Sequence, residues 1–251
     1  MWLVVGAATL TLAGLAGERL FSSAGLNPTP TAATRSQPTT TTAPAGSNVG
    51  PAIRVGSAVG TPLGAFMGLS RLARTPAPPF SLADQAGRAT SIPQKPPAVV
   101  VLTFFDSTCN DICPVLAAEI RQADADLGSL SAEVEFLTVD TDPLALARSA
   151  PSAVLADTGL GALPNWHMLT GPLATLDPLW RAYGVSISVE RTTGMEAHND
   201  VLYFIDAKGD LRWRATPFAD ESPTGNYSLP PATIARFAGG IATFTRQLVG
   251  P

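Results

Sequence analysis

Charged side chains are scarce in this 251-residue chain: they make up 14% of it, against about 25% in ordinary soluble domains. With a formal net charge of -4, it lacks the basic surface that nucleic acid requires. The charge is also unevenly spread. Residues 1–75 hold Glu18 against Arg19, Arg35, Arg54, Arg71 and Arg74, so that part is positive and the remainder is clearly acidic. Cysteine and histidine are scarcer still, two of each. A framework of several disulfides is thereby excluded, and any metal or thiol chemistry must be built from few residues. Hydrophobic residues make up 45%, enough for a real core at this length. No internal repeat is visible.

Residues 1–17 carry no charge and are mostly Leu, Val, Ala and Gly. Such a run is at the lower limit for a membrane-spanning helix and exceeds the usual core of a signal peptide. Residues 1–22 are therefore read as a hydrophobic anchor or signal segment, and either one exports the chain. Ser22-Ser23-Ala24 is a poor cleavage site and no Cys follows to take a lipid, which favours an uncleaved anchor. Residues 23–75 are read as a linker and lead-in. Up to residue 50 they are dominated by Thr, Pro, Ala, Ser and Gly, a composition that buries too little apolar surface to offset chain entropy. From Pro51 to Arg74 scattered apolar residues alternate with glycines, and a poorly ordered or partly docked segment is expected.

The globular domain is placed at residues 76–251. Phe80 to Ile92 alternates apolar and polar residues about an Asp-Gln-Ala-Gly turn and predicts a β-hairpin. Val99 to Phe105 is almost continuously apolar, as suits a central strand covered on both faces. Val115, Leu116, Ile120, Ala123 and Leu127 recur at helical spacing up to Gly128. A second central strand is predicted at Val134–Asp140, a short helix after Pro143 to about Ala150, a short strand from Asn165 and an amphipathic helix over 172–183. A hairpin follows, with strands at Val201–Ile205 and Leu211–Ala215, and a last helix from about Pro231 to Leu248. Strand and helix in this order make an α/β fold of thioredoxin-like type with an added N-terminal hairpin.

Both cysteines lie where the first central strand meets its helix, in Cys109-Asn110-Asp111-Ile112-Cys113-Pro114. Spacing of this kind lets both sulfurs face one point, and the helix N-terminus lowers their pKa. Three uses remain open: a dithiol/disulfide couple, a soft metal site or a structural disulfide. So short a loop staples little chain, which favours the first two. Of the histidines, His198 ends a Gly-containing loop just before the strand at Val201. A thioredoxin-like order sets that strand beside the one that leads to the cysteines, bringing His198 near them. His167 is read as a core or surface histidine.

These residues resemble the SCO/SenC family of copper-binding, thioredoxin-fold proteins involved in cytochrome c oxidase assembly. The likeness runs from Pro78 to the C-terminal helix. It rests on Pro79-Phe80-Ser81-Leu82 with Asp84-Gln85, on Cys109 to Pro114 as Cys-x-x-x-Cys-Pro, on Leu169-Thr170-Gly171, on Tyr183-Gly184-Val185 and on His198 before Tyr203-Phe204-Ile205-Asp206-Ala207-Lys208-Gly209.

The resemblance implies that Cys109, Cys113 and His198 bind copper. Two thiolates suit Cu(I), and an added imidazole also accommodates Cu(II). It implies a metallochaperone tethered on the extracytoplasmic side of the membrane. Its partner would be the copper-bearing subunit of a terminal oxidase, with another copper chaperone or a thiol reductant as further partners. The competing reading is a thiol:disulfide reductase in which Cys109 and Cys113 are catalytic; a peroxidase reading lacks an identifiable activating Arg and Thr. The family's acidic segment after the second central strand is shorter here, Val139-Asp140-Thr141-Asp142-Pro143. Asp142 matches its second acid, with a role at copper or in docking; the competing role is a helix N-cap before Pro143.

Overall fold

The computed structural model describes residues 53–92, 98–106, 109, 112–142, 158–189 and 196–249. Its strands are β1 (Val55–Ala58), β2 (Ser70–Leu72), β3 (Phe80–Ala83), β4 (Ala89–Ile92), β5 (Val99–Phe105), β6 (Val134–Asp140), β7 (Trp166–Leu169), β8 (Ile187–Val189), β9 (Glu196–His198), β10 (Leu202–Ile205), β11 (Leu211–Ala215), β12 (Asp220–Glu221) and β13 (Tyr227–Ser228). The helices are α1 (Pro62–Phe66), α2 (Cys113–Leu127), α3 (Leu173–Ala182) and α4 (Pro231–Arg246). Among the described residues the main sheet has seven strands in the order β1-β2-β11-β10-β5-β6-β7. β5, β6 and β7 are parallel, and β10 runs antiparallel to β5.

Every residue of β5 is buried, and its alternation divides the core. Val99, Val101 and Phe105 face the layer formed by α2 and α4, where they meet Leu116, Ile120, Phe237 and Ile241. Val100, Leu102 and Phe104 face Leu176, Leu179 and Trp180 of α3. A strand buried on both faces needs apolar residues in both parities, and each such side chain withdrawn from water stabilises the fold by roughly 2 kcal/mol. The buried threonines Thr103 of β5 and Thr138 of β6 satisfy one another. Thr103 and Thr138 pair across β5 and β6, their Oγ1 atoms lie 3.0 Å apart, and Trp166 Nε1 donates to Thr138 Oγ1 at 2.9 Å.

This is the thioredoxin-like α/β arrangement that the element order predicts, and the added hairpin is present as β3 and β4. The hairpin turns about Asp84, whose Oδ1 accepts from Ala86 N and Arg88 N at 2.9 and 2.8 Å. Gly87 there has φ +76, a left-handed conformation that glycine adopts without strain.

Of the two alternatives expected for the lead-in, poorly ordered or partly docked, residues 53–75 take the docked one and add two strands and a helix to the fold. β2 pairs with β11 (Trp213 opposite Arg71, Arg214 opposite Ser70), and β1 pairs with β2. Met67 and Leu69 are buried in the α2 side of the core. Two of the glycines that obscure any period allow close approach: a Cβ on Gly64 would lie 2.6 Å from the Val59 carbonyl oxygen, and one on Gly56 2.9 Å from the Arg71 carbonyl oxygen. The anchor or signal segment at 1–22, the linker up to residue 50 and the helix expected after Pro143 lie outside the described residues. Among those described, no helix is long and apolar enough to cross a membrane.

Candidate functional site

The cysteines stand where β5 hands over to α2. Beyond Phe105 the chain turns, with Cys109 N donating to the Asp106 carbonyl at 3.1 Å. α2 then opens at Cys113, with Pro114 in its first turn. Proline fits there because that position has no intrahelical partner for an N–H. The N-cap residue, Ile112, contributes no side-chain hydrogen bond; its carbonyl accepts from Val115 N and Leu116 N at 3.0 and 3.1 Å. Cys109 and Cys113 form a disulfide, with Cα atoms 5.9 Å apart. The two sulfurs are unequal in access, since Cys113 is 2% exposed and packs into the core whereas Cys109 is only partly buried.

His198 ends β9 and pairs with Ile187 of β8. Its imidazole is mostly buried, and Nδ1 lies 3.4 Å from the Asn199 carbonyl oxygen and 4.0 Å from Asp200 Oδ1. Asn199 fixes the base of this small sheet: Oδ1 accepts from Ser186 N at 2.7 Å, and Nδ2 donates to the Gly184 carbonyl at 3.2 Å. The preceding Tyr183-Gly184-Val185 turns out of α3, with Gly184 at φ +67 and Val185 N donating to the Trp180 carbonyl at 2.8 Å. Tyr183 OH donates to the Pro78 carbonyl at 2.8 Å and so ties this corner to the start of the hairpin. Burial pushes the Tyr203 phenol, beside Tyr183, up to about 12.

The chain after β6 passes the same end of the sheet. Thr141 N donates to the Phe105 carbonyl at 2.8 Å, and Trp180 Nε1 to the Asp140 carbonyl at 2.9 Å. Asp142 is buried, and its N–H donates to Asp140 Oδ1 at 3.1 Å. The helix that it was expected to cap is outside the described residues.

Two further ionisable groups lie outside the predicted site: His167, expected as a core or surface histidine, and Glu119, which the sequence does not single out. His167 on β7 is held between two carboxylates, with Nε2 3.1 Å from Glu135 Oε2 and Nδ1 3.4 Å from Asp84 Oδ2. The bond to Glu135 raises the imidazole pKa; burial opposes this, and the Glu135 and Asp84 charges add to the rise. For Asp84, burial is opposed and outweighed by the N–H groups of Arg88 and Ala86 and by the Arg88 guanidinium, so its carboxyl is held below the usual range. The second group is Glu119, on α2. It is fully buried, and among the described residues neither carboxylate oxygen has a hydrogen-bond partner. Burial pushes it up to about 8.

The structure thus joins Cys109 to Cys113 and brings the His198 strand pair to the same end of the sheet. It does not gather the three into one cluster: among the described residues no three His, Cys, Asp or Glu side chains form a group that fits a metal ion. His167 stands apart from all of them, at mid-strand on the edge of the sheet.

A family model described as SCO1/SenC matches residues 70–224. None of the curated proteins compared with this chain matches it. Among solved structures, a SCO1/SenC family lipoprotein from Bacillus anthracis str. Ames is 18% identical, with a TM-score of 0.52 over 70% of this chain and 95% of that one. Apo Sco1 from Thermus thermophilus is 19% identical, with a TM-score of 0.52 over 70% and 92%. Copper-bound ScoI from Bradyrhizobium japonicum is 20% identical, with a TM-score of 0.49 over 69% and 99%. The first two likenesses establish the fold.

Proposed function

The chain belongs to the SCO1/SenC family, and on that premise we propose that it is an extracytoplasmic copper chaperone. It takes one copper ion as cargo on Cys109, Cys113 and His198 and delivers it to the dinuclear copper centre of cytochrome c oxidase. The observation that carries this reading is the pairing of Cys109 with Cys113 at the N-terminus of α2. Two sulfurs that can reach bonding distance can also close on one soft cation, and the donor set fits copper in both oxidation states. Loading requires the disulfide to be opened first. A dithiol reductant supplies two electrons and two protons and is itself oxidised to a disulfide. The thiols of Cys109 and Cys113 then lose their protons to solvent as the thiolate sulfurs take up copper.

The proposed setting is the extracytoplasmic face of the membrane, with residues 1–22 as anchor and the linker leading to a domain whose first described strand is β1. The copper-bearing oxidase subunit is the proposed recipient. A second copper chaperone or a thiol reductant is the proposed donor of metal or electrons. The deciding experiment is titration of the full chain with copper, with and without prior reduction. One copper per reduced chain and none on the oxidised chain supports the reading. Equal binding before and after reduction contradicts it.

The disulfide itself favours a second reading, a thiol:disulfide reductase acting on the cysteines of the oxidase subunit or another exported protein. It is tested by the reduction potential of the pair and its rate of exchange with an oxidised target peptide. A pair that stays oxidised against dithiol reductants of the compartment removes this option.

A further inference from the structure

Glu119 is the one buried carboxyl on α2 that neither chaperone nor reductase chemistry uses. Val115, Glu119 and Ala123 follow one another at four-residue intervals, and all three are buried, so the acid occupies a position that helical geometry assigns to the interior. Seven residues further along the same stripe is Asp126. Its carbonyl accepts from Arg246 of α4, and its Oδ2 lies 3.9 Å from where a Cβ on Gly239 of α4 would sit. Glu119 therefore lies on the flank of α2 that turns toward α4.

No cation among the described residues accounts for it. On α4, Arg236 lies over the Phe66 ring at 4.0 Å and Arg246 is engaged with Asp126. α1 has no titratable residue, and in the 3-10 turn after α2 the acid is Glu133, which is exposed. Arg121 of α2 itself donates to the Thr158 carbonyl at 2.9 Å. In the sheet beneath, His167 is bound to Glu135, while Arg214 has an unpartnered Nε but no ion pair with Glu119 among the described residues. A carboxyl buried without a hydrogen bond or counter-charge costs stability that an apolar residue would not cost, and such groups cluster at functional sites.

We propose that Glu119 is a positioning residue for the Cys109/Cys113 pair: a proton-exchanging group inside α2 whose neutral form leaves the thiolates favoured by the helix N-terminus and whose ionised form opposes them. Its placement supports this, because six residues of helix set it roughly 9 Å along the axis from Cys113. At that range, in protein, a full negative charge shifts the thiol-thiolate balance on the order of tenfold. Ionisation with rising pH, in the range to which burial moves the group, makes the pair less reactive than the helix alone would make it. The inference rests on the reading that Cys109 and Cys113 work as thiols.

The test follows alkylation of the reduced, metal-free full chain by iodoacetamide from pH 6 to pH 10 in the wild type, Glu119→Gln and Glu119→Met, with the carboxyl 13C shift of Glu119 followed in the wild type. Expected are rate profiles that coincide at the acid end and diverge above about pH 8, where both variants react several-fold faster. The wild-type carboxyl should titrate far above the usual carboxylate range. Coincident profiles throughout, or a carboxyl that titrates in the usual range, would overturn the proposal. Because the carboxyl is read in the unaltered protein, a variant that fails to fold does not shield the proposal. No copper enters the assay, so a failed chaperone reading would appear in the metal titration and not here.

Discussion

Leu202 on β10 stands opposite Thr103 on β5 in antiparallel register. The chain that reaches β10 from His198 therefore enters at the end of the sheet where β5 departs toward Cys109. A histidine 89 positions further along the sequence from Cys109 is delivered to the same rim by strand pairing alone. Asn199, hydrogen-bonded to Ser186 and Gly184, fixes how the His198 strand pair leaves that rim.

The unequal burial of the two sulfurs sets an order of reaction. After reduction, iodoacetamide should label Cys109 before Cys113, because Cys113 is packed into the α2 side of the core. Peptide mass spectrometry of a time course reads the order. Labelling of Cys113 first would show that the reduced α2 terminus opens differently.

His167 should stabilise the fold in a pH-dependent way. Its imidazole pKa is raised above the usual 6.5, chiefly by the bond to Glu135. The stabilisation is therefore complete below about pH 6.5 and is lost as pH rises through the higher folded-state value. Wild type should exceed His167→Gln by roughly 1 kcal/mol at pH 6 in urea unfolding, with the gap closing at alkaline pH. A gap independent of pH would show that packing, not charge, is what His167 supplies.

Glu119 gives a second pH signature. Its folded-state pKa is raised from the usual 4.5 to about 8, so its contribution is fully present below pH 4.5 and declines up to about pH 8 as the unfolded chain releases a proton that the folded chain retains. Across that window wild type should lose up to about 5 kcal/mol relative to Glu119→Gln. Parallel stability curves for the two proteins would contradict the burial described here.

The docking of β1 and α1 is tested by a glycine pair. A Cβ at position 64 meets the Val59 carbonyl oxygen at 2.6 Å, whereas one at position 60 meets nothing within 4 Å. Gly64→Ala should cost roughly 1–3 kcal/mol and Gly60→Ala little, by urea unfolding. Equal effects would mean that this segment contributes no packing.

Much of this architecture is legible in the sequence where one physical signal dominates. The unbroken apolar run at Val99–Phe105 and the helical spacing of Val115, Leu116, Ile120, Ala123 and Leu127 locate β5 and α2, and with them the cysteine pair. β1 and β2 are not legible, because β1 is wholly exposed and glycines break any period between them. β8 and β9 are three residues each, too short for alternation to show, so His198 reads as a loop residue. The contacts of His167 with Asp84 and Glu135 join positions 83 and 32 residues apart, and no local pattern announces them. Glu119 does leave a trace, a carboxylate in an otherwise buried i, i+4 stripe.

A three-ligand copper site is tested most directly by comparing copper binding by the reduced wild-type chain and His198→Ala in both oxidation states. Such a site takes one copper per chain, and the substitution should weaken Cu(II) binding far more than Cu(I) binding and change the Cu(II)-thiolate charge-transfer absorption. Unchanged affinities for both ions together with an unchanged absorption band would contradict it.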